Sequence, residues 1–233
     1  MNSAMKTFHS LAPVVSSLAS SLAFGWLVGG CAAPSGSSAA PKPGSGIVEY
    51  RQVVREAHRS VAATVKSLEA LAQPGTQTST PHPALAGFDR SLHQLELTSV
   101  RSRARAEAII ARGQAYFDEW KENLSANTNL ANARAETERY TRLFQHFGRV
   151  RERSGKVREE FRPFMAKLRE FRARFGHPSK PAEGESSGKE IDGLITSGRR
   201  VLQSLEAVST SLDEAEAELH ATLVAKGAKE GLR

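Results

Sequence analysis

The sequence predicts an all-α protein folded as an elongated antiparallel four-helix bundle of the coiled-coil type. The clearest observation is the stretch from Tyr140 to Phe175, where seam residues recur at alternating intervals of three and four over five heptads. This spacing places them along one side of a helix, which must be buried against other helices. Three further stretches repeat the spacing, and no stretch alternates apolar and polar residues as a strand would.

The composition agrees with this architecture. Of the 233 residues, 39% are hydrophobic, which is low for a sphere but sufficient for a long bundle, because each helix buries only a stripe. The net charge of +7 favours attraction to anionic surfaces. The single cysteine, Cys31, excludes an intramolecular disulfide and a cysteine-based zinc site.

Residues 1–30 have the pattern of a secretory signal. Lys6 provides a short positive region, and Leu11–Gly30 is apolar or small. The segment runs into Val28–Cys31, which reads Val-Gly-Gly-Cys and resembles the lipobox of bacterial lipoproteins. The resemblance implies that Cys31 is acylated and becomes the mature N-terminus.

The lipoprotein interpretation has two alternatives, and all three export the rest of the chain. Leu11–Gly30 is about long enough to span a bilayer as an uncleaved anchor in the inner membrane. Cleavage after Ala33 would release a soluble secreted protein. In lipoproteins of the Gram-negative type, an aspartate after the cysteine retains the protein at the inner membrane. Ala32 stands there, so the resemblance implies the periplasmic face of the outer membrane.

Residues 31–46 contain the lipidated cysteine and a tether rich in proline, glycine and serine, which has nothing to bury. Helix 1 is predicted over residues 47–73, with Tyr50, Val54, Val61 and Leu68 on its seam and Ala72 at its end. A loop with three prolines follows at 74–83.

Helix 2 is predicted over residues 84–126, with Tyr116 on its seam. The middle of this seam is small and polar, at Ser99, Ser102 and Ala106. Either a neighbouring helix approaches closely at these residues, or the bundle is loose there. The spacing alone leaves both possibilities open.

A short turn at 127–129 makes helices 2 and 3 antiparallel neighbours. Helix 3 is predicted over residues 130–175. Pro163 removes one helical hydrogen bond, but the seam stays in register across it, so we expect helix 3 to bend near Pro163 without breaking.

Residues 177–188 are predicted to be a disordered loop, because they are rich in glycine, serine and charge. Helix 4 follows over residues 189–226, where Gly227 is expected to cap it, and residues 227–233 form a tail. The bundle therefore occupies residues 47–226.

A second resemblance lies in helix 2. Phe117, Asp118, Glu119 and Trp120, followed by a long basic helix, resemble a bacterial family of exported long-helical proteins of unknown function that carry a Phe-Asp-Glu-Trp motif. The likeness extends loosely from Tyr50 to Leu219. It implies a structural role for these four residues and supplies no activity.

Physically, the aromatic side chains of this motif bury large areas beside the turn. Asp118 and Glu119 are expected to point outward and to pair with Arg134 or Arg139 of helix 3. We interpret the motif as a structural clamp, and a binding site is the alternative.

No pattern indicates an enzyme, a cofactor or a metal site. Asp89, His93 and Glu96 have helical spacing, but ligands on a second helix are not evident. No glycine-rich phosphate loop follows a strand. We therefore predict no catalytic, cofactor-binding or metal-binding residues.

Helix 3 is strongly basic. Ten lysines and arginines lie between Arg149 and Arg174. They are expected either to form salt bridges on solvated faces or to contact an anionic polymer or lipid. They are Arg149, Arg151, Arg153, Lys156, Arg158, Arg162, Lys167, Arg169, Arg172 and Arg174. Export argues against a nucleic-acid partner.

These observations predict a membrane-anchored periplasmic lipoprotein that acts as a structural or protein-interaction module of the cell envelope. The alternative is a peripheral binder of an anionic envelope polymer or lipid through the basic face of helix 3. Its oligomeric state stays open, because apolar residues off the seams could form a second interface. They are Leu97, Val100, Ile110 and Phe144.

Overall fold

The computed structural model of the protein describes residues 44–73, 83–126, 130–175 and 184–230. They form four helices: α1 (Ser45–Leu71), α2 (Pro83–Ala126), α3 (Leu130–Phe175) and α4 (Gly184–Glu230). No strand occurs within these four ranges, so the all-α prediction is confirmed. The predicted signal, Cys31 and most of the tether lie outside the described residues.

The residues from Ala40 to Arg233 make one compact unit, which contains all four helices. Each helix packs against two neighbours, in the order α1, α2, α3, α4 around a ring. Ion pairs show the directions of the helices, since Arg51 of α1 lies 2.8 Å from Asp213 of α4, whereas Glu69 lies 2.9 Å from Arg199. Later residues of α1 thus meet earlier residues of α4, and the two helices are antiparallel.

The other neighbours are antiparallel by the same test. Pairs between α1 and α2 are Glu49–Arg112 and Glu56–Arg105, and pairs between α3 and α4 are Arg142–Glu218, Arg149–Glu214 and Arg174–Glu190. Across α2 and α3 the pairs are Asp89–Arg172 and Glu96–Arg169. The antiparallel bundle predicted from the heptads is therefore observed.

Helix α1 begins beside the middle of the bundle rather than at its turn end. Gly44 starts it with a left-handed φ of 93°, which glycine adopts without steric cost, and accepts a hydrogen bond from the Ile47 N–H at 3.0 Å. A side chain added at Gly46 would come within 3.9 Å of Ile109. The pairing of Glu49 with Arg112 and the approach of Gly46 to Ile109 place the start of α1 level with about residues 109–116 of α2, so α2 extends roughly 15–25 Å beyond it.

Two predicted seam positions are wrong. Ala72 is exposed because α1 ends at Leu71, which is buried in its place. Tyr116 is 48% exposed, whereas its neighbour Phe117 is only 7% exposed. A straight helix drifts by about 20° per heptad relative to an exact seven-residue repeat, so the buried stripe of α2 moves to the next residue along its length.

Helix α3 is continuous through Pro163, as predicted, and the bend there stays a prediction. Helix α4 is longer than predicted at both ends. It begins at Gly184, inside the stretch predicted to be a loop, and it continues through Gly227, which does not cap it. Glycine costs only about 1 kcal/mol inside a helix, so Gly184 does not prevent the helix from starting there and Gly227 does not end it.

Candidate functional site

Helices α2 and α3 are close together at two places. Near the turn, a side chain added at Gly113 would lie 2.6 Å from the ring of Phe147. Near the other end, the rings of Phe88 and Phe171 pack edge to face with centroids 5.6 Å apart, and both are fully buried. Of the four neighbouring pairs of helices, α2 and α3 nevertheless have the sparsest contact.

Between these two places, α2 and α3 separate and leave an open cavity of about 360 Å³, which we call the central groove. Its walls are residues of α2 from Leu95 to Ile110 and of α3 from Ser154 to Arg169. Its floor comes from the opposite helices and is apolar, with Val53, Val54 and Val61 of α1 and Val201, Leu205 and Val208 of α4.

Residue size explains why the groove opens. The seam of α2 is small at Ser99, Ser102 and Ala106, and the facing part of α3 carries Ser154 and Val157. These small residues of α2 leave a gap that the larger lining residues of α3, such as Phe161 and Met165, do not fill, since close packing needs matched volumes. Of the two possibilities left open by the sequence, the loose bundle is the one observed.

The hydroxyl groups of Tyr50, Ser154 and Ser102 are buried in the groove. The Tyr50 hydroxyl donates a hydrogen bond to Ser154 Oγ at 2.8 Å, and Ser154 Oγ donates to the Val150 carbonyl at 2.6 Å. Burial raises the pKa of Tyr50, and the hydrogen bond to Ser154 and the nearby Arg158 charge partly oppose it. Ser102 is only 8% exposed, and its Oγ has no hydrogen-bond partner in the described residues.

The rim of the groove is basic. Arg103 is paired with Glu107 at 2.9 Å, and Arg169 with Glu96 at 2.7 Å. Arg158 and Arg162 also line the groove, one helical turn apart on α3. Neither makes an ion pair or a hydrogen bond with the described residues, so their charges are available.

The predicted basic face of α3 is divided by the structure. Four of its ten cations pair with carboxylates of α2 or α4, namely Arg149, Arg169, Arg172 and Arg174. Arg151 donates to Gln114 at 3.0 Å, and Arg153 donates to the Ala207 carbonyl at 2.9 Å.

The four cations left without such partners in the described residues lie on two sides of α3. Arg158 and Arg162 line the groove. Lys156 and Lys167 are exposed and eleven residues apart, which places them on one common side, roughly opposite the two arginines across the seam. The cations that are free therefore do not form one continuous face.

The Phe-Asp-Glu-Trp residues have separate roles. The Phe117 ring is the centre of an aromatic cluster beside the turn, with neighbouring ring centroids 5.2–6.2 Å away. The members of the cluster are Tyr116, Trp120, Tyr140, Phe144 and Phe147. This cluster joins α2 to α3.

The acidic residues of the motif do not pair as predicted. Asp118 and Glu119 are exposed, and Asp118 accepts a hydrogen bond from Gln114 at 2.9 Å. Arg134 and Arg139 instead pair with Glu138 and Glu136 of their own helix.

Two of the three residues considered as metal ligands form ion pairs with arginines of α3. Asp89 lies 3.0 Å from Arg172, Glu96 lies 2.7 Å from Arg169, and His93 is exposed. No group of three potential ligands occurs among the described residues.

Of the apolar residues considered for a second interface, Val100 is 70% exposed at the edge of the groove, and Ile110 lines the groove. Leu97 and Phe144 are also partly exposed.

A second, larger cleft of about 1160 Å³ lies between α1 and α2, and most of its lining residues are polar. In the four described helices, none is both long and apolar enough to cross a bilayer.

Comparisons with known proteins add no relative. No family model matches the chain, and neither a curated protein nor a solved structure is significantly similar to it. The two resemblances drawn from the lipobox and the aromatic motif therefore stay predictions. The central groove was not predicted as a site, and its only sequence signal was the small, polar middle of the α2 seam.

Proposed function

We propose that the protein is a lipid-anchored helical module of the bacterial cell envelope, which binds other envelope components and does not catalyse a reaction. The observation that carries the proposal is the order of the chain. An apolar segment ends at Cys31, and a stretch rich in proline, glycine and serine then leads to α1, which begins at Ser45. This order suits a folded domain tethered close to a membrane.

The bundle supports this role by leaving binding surfaces open. Val100 is 70% exposed at the edge of the groove between α2 and α3, and Ile110 and Phe161 in its lining are partly exposed. The start of α1 lies at the side of the bundle, so the tether would leave there and keep the aromatic turn end clear.

The direct test is metabolic labelling with a radioactive fatty acid in a Gram-negative host. We expect the wild-type protein to carry label and to fractionate with the outer membrane. Cys31→Ser should lose the label. A matched control, Cys31→Ser with Ser37→Cys, keeps one thiol but moves it by six residues, and we expect it to stay unlabelled.

Label that persists in Cys31→Ser would contradict lipid anchoring at this residue. An unlabelled wild type that stays with the inner membrane would support the uncleaved anchor, and an unlabelled soluble wild type would support secretion.

A second candidate is contact with an anionic polymer or lipid surface through α3. It is favoured by four cations, Lys156, Arg158, Arg162 and Lys167, that carry no ion pair with the described residues. Co-sedimentation with anionic vesicles or cell-wall sacculi should then be strong at low salt and weak at high salt. Absence of binding at low salt would remove this candidate.

A further inference from the structure

We propose that the central groove is a binding site for a fatty-acid carboxylate, a single-chain anionic amphiphile. In this assignment the acyl chain lies on the apolar floor, and Arg158 and Arg162 hold the carboxylate at the rim. The inference does not depend on the lipid anchor, because it concerns the bundle alone.

The size and chemistry of the groove fit one acyl chain. Its volume of about 360 Å³ is within the range of about 300–1,000 Å³ typical of small-molecule pockets. From Leu95 to Ile110 the α2 wall is about 22 Å long at 1.5 Å per residue. A long, narrow site floored by valine and leucine favours an extended apolar chain over a compact polar ligand.

A buried hydroxyl and the two free arginines point to the position of the head group. The pairing of Glu96 with Arg169, and of Gln114 with Arg151, sets Ser102 at about the height of Arg162. Ser102 Oγ is buried in the groove and has no hydrogen-bond partner among the described residues, so a ligand or water there would offset the cost of its burial. A carboxylate at this height would accept from Ser102 and from the guanidinium groups.

Charge complementarity favours this occupant over the chain's own N-terminal segment. Residues 1–43 contain no aspartate or glutamate, and their only lysines are Lys6 and Lys42. That segment would bring no negative charge to Arg158 and Arg162.

The acidic stretch of α4 would bring little free charge from a second copy, because Asp213 and Glu216 pair with Arg51 and Glu218 pairs with Arg142. Glu152 and Glu159 of α3 are exposed and carry no ion pair with the described residues, so the gel filtration below tests a second copy as the other occupant.

The test is calorimetric titration of residues 40–233, the compact unit, with dodecanoate below its micelle concentration. Dodecan-1-ol supplies the same chain without the charge, and acetate supplies the charge without the chain. We expect saturable binding of one dodecanoate per chain, dodecan-1-ol weaker by about tenfold or more, and no binding of acetate.

Two double variants that each remove two positive charges distinguish binding in the groove from general electrostatic attraction of the anion to the protein. Arg158→Gln with Arg162→Gln should weaken dodecanoate binding about tenfold, whereas Lys156→Gln with Lys167→Gln should change it by less than about twofold. Equal weakening in both would overturn the proposal and favour the surface candidate described above. A wild type that shows no binding at 1 mM would also overturn it.

Two variants that fill the groove from its walls test whether the acyl chain lies inside it. Ala106→Phe and Val157→Trp should each abolish binding while retaining cooperative unfolding by circular dichroism. Unchanged binding in either folded variant would overturn the proposal. The rim arginines are exposed, so the charge test stands even where a filling variant fails to fold. Gel filtration accompanies each titration, and a dimer that dissociates when the groove is filled would assign the groove to a second copy instead.

Discussion

Two regions of the interface between α2 and α3, one near the start of α2 and one in its middle, differ sharply in this protein. Toward the start of α2, Phe88 packs edge to face on Phe171, and both rings are inaccessible to solvent. Farther along the same interface, the seam positions carry small residues such as Ser102 of α2 and Ser154 of α3, and the groove opens between the helices. The spacing of seam residues is the same in both regions. The difference therefore teaches that periodicity decides which side is buried, whereas side-chain volume decides whether the helices close.

The largest effect should come from the closed region. Phe88→Ala should lower the free energy of unfolding by about 3–5 kcal/mol, because it removes a fully buried ring and leaves a cavity. Phe161→Ala is the matched control at the groove, where the ring is already partly exposed, and it should cost less than half as much. Urea unfolding measures both, and equal losses would contradict the comparison.

Two glycines of α4 test packing on the same helix. A side chain at Gly198 would lie 2.5 Å from Val65 and 3.1 Å from Phe164, so Gly198→Ala should cost about 1–3 kcal/mol by overpacking. Gly193 has open space around it, so Gly193→Ala should stabilise by about 0.5–1 kcal/mol. Thermal unfolding should show shifts of opposite sign; a stabilised Gly198→Ala would show that the closed region is looser than described.

The fold was largely predictable, and particular residues show why. Alternate steps of three and four residues from Tyr140 reach Leu143, Val150, Phe164 and Leu168, and all four are buried. Spacing is a local property of a helix, so it survives into the folded state. The ends of α4 were mispredicted, because glycine-rich sequence at Gly184 signals a loop locally while the continuing helix overrides it.

The groove could not be predicted in the same way. Ser99, Ser102 and Ala106 are compatible with close approach and with separation, and only the residues facing them decide between these outcomes. Ion-pair partners were equally undetermined, since Arg139 pairs with Glu136 within α3 rather than with the acidic motif of α2. Such choices depend on the register between helices, which a single sequence does not give.

The buried tyrosine of the groove should make stability depend on pH. At neutral pH, Tyr50→Phe should cost about 0.5–1.5 kcal/mol through its lost hydrogen bond to Ser154. Because burial raises the pKa of Tyr50 in the folded state, its contribution is full below about pH 10 and declines as the pH rises above that value.

Urea unfolding at pH 8 and at pH 10.5 checks this prediction. The free energy of unfolding of the wild type should fall more between these two pH values than that of Tyr50→Phe. Tyr116→Phe is a comparison outside the groove: burial and the nearby Glu136 and Glu119 charges also raise the pKa of Tyr116, so this variant should reduce the fall in the same direction. Identical pH dependence in the wild type and Tyr50→Phe would contradict burial of Tyr50.

The smallest effect is expected at the groove rim. Glu107→Gln breaks the ion pair with Arg103, and both side chains are more than half exposed. The loss of stability should be about 0.3–0.5 kcal/mol and should disappear at high salt. Chemical unfolding at two salt concentrations measures it, and a loss above about 1.5 kcal/mol would mean that the rim is desolvated rather than open.

The most direct test of the open groove is the reactivity of single thiols placed on one α3 seam. In a Cys31→Ser background, Val157→Cys lies in the groove and Leu168→Cys lies in the closed region, where Leu168 is fully buried. The account predicts that a maleimide labels Val157→Cys rapidly in the folded protein and labels Leu168→Cys only at the rate of unfolding. Equal protection of the two thiols would show that α2 and α3 are closed along their whole length and would contradict the account.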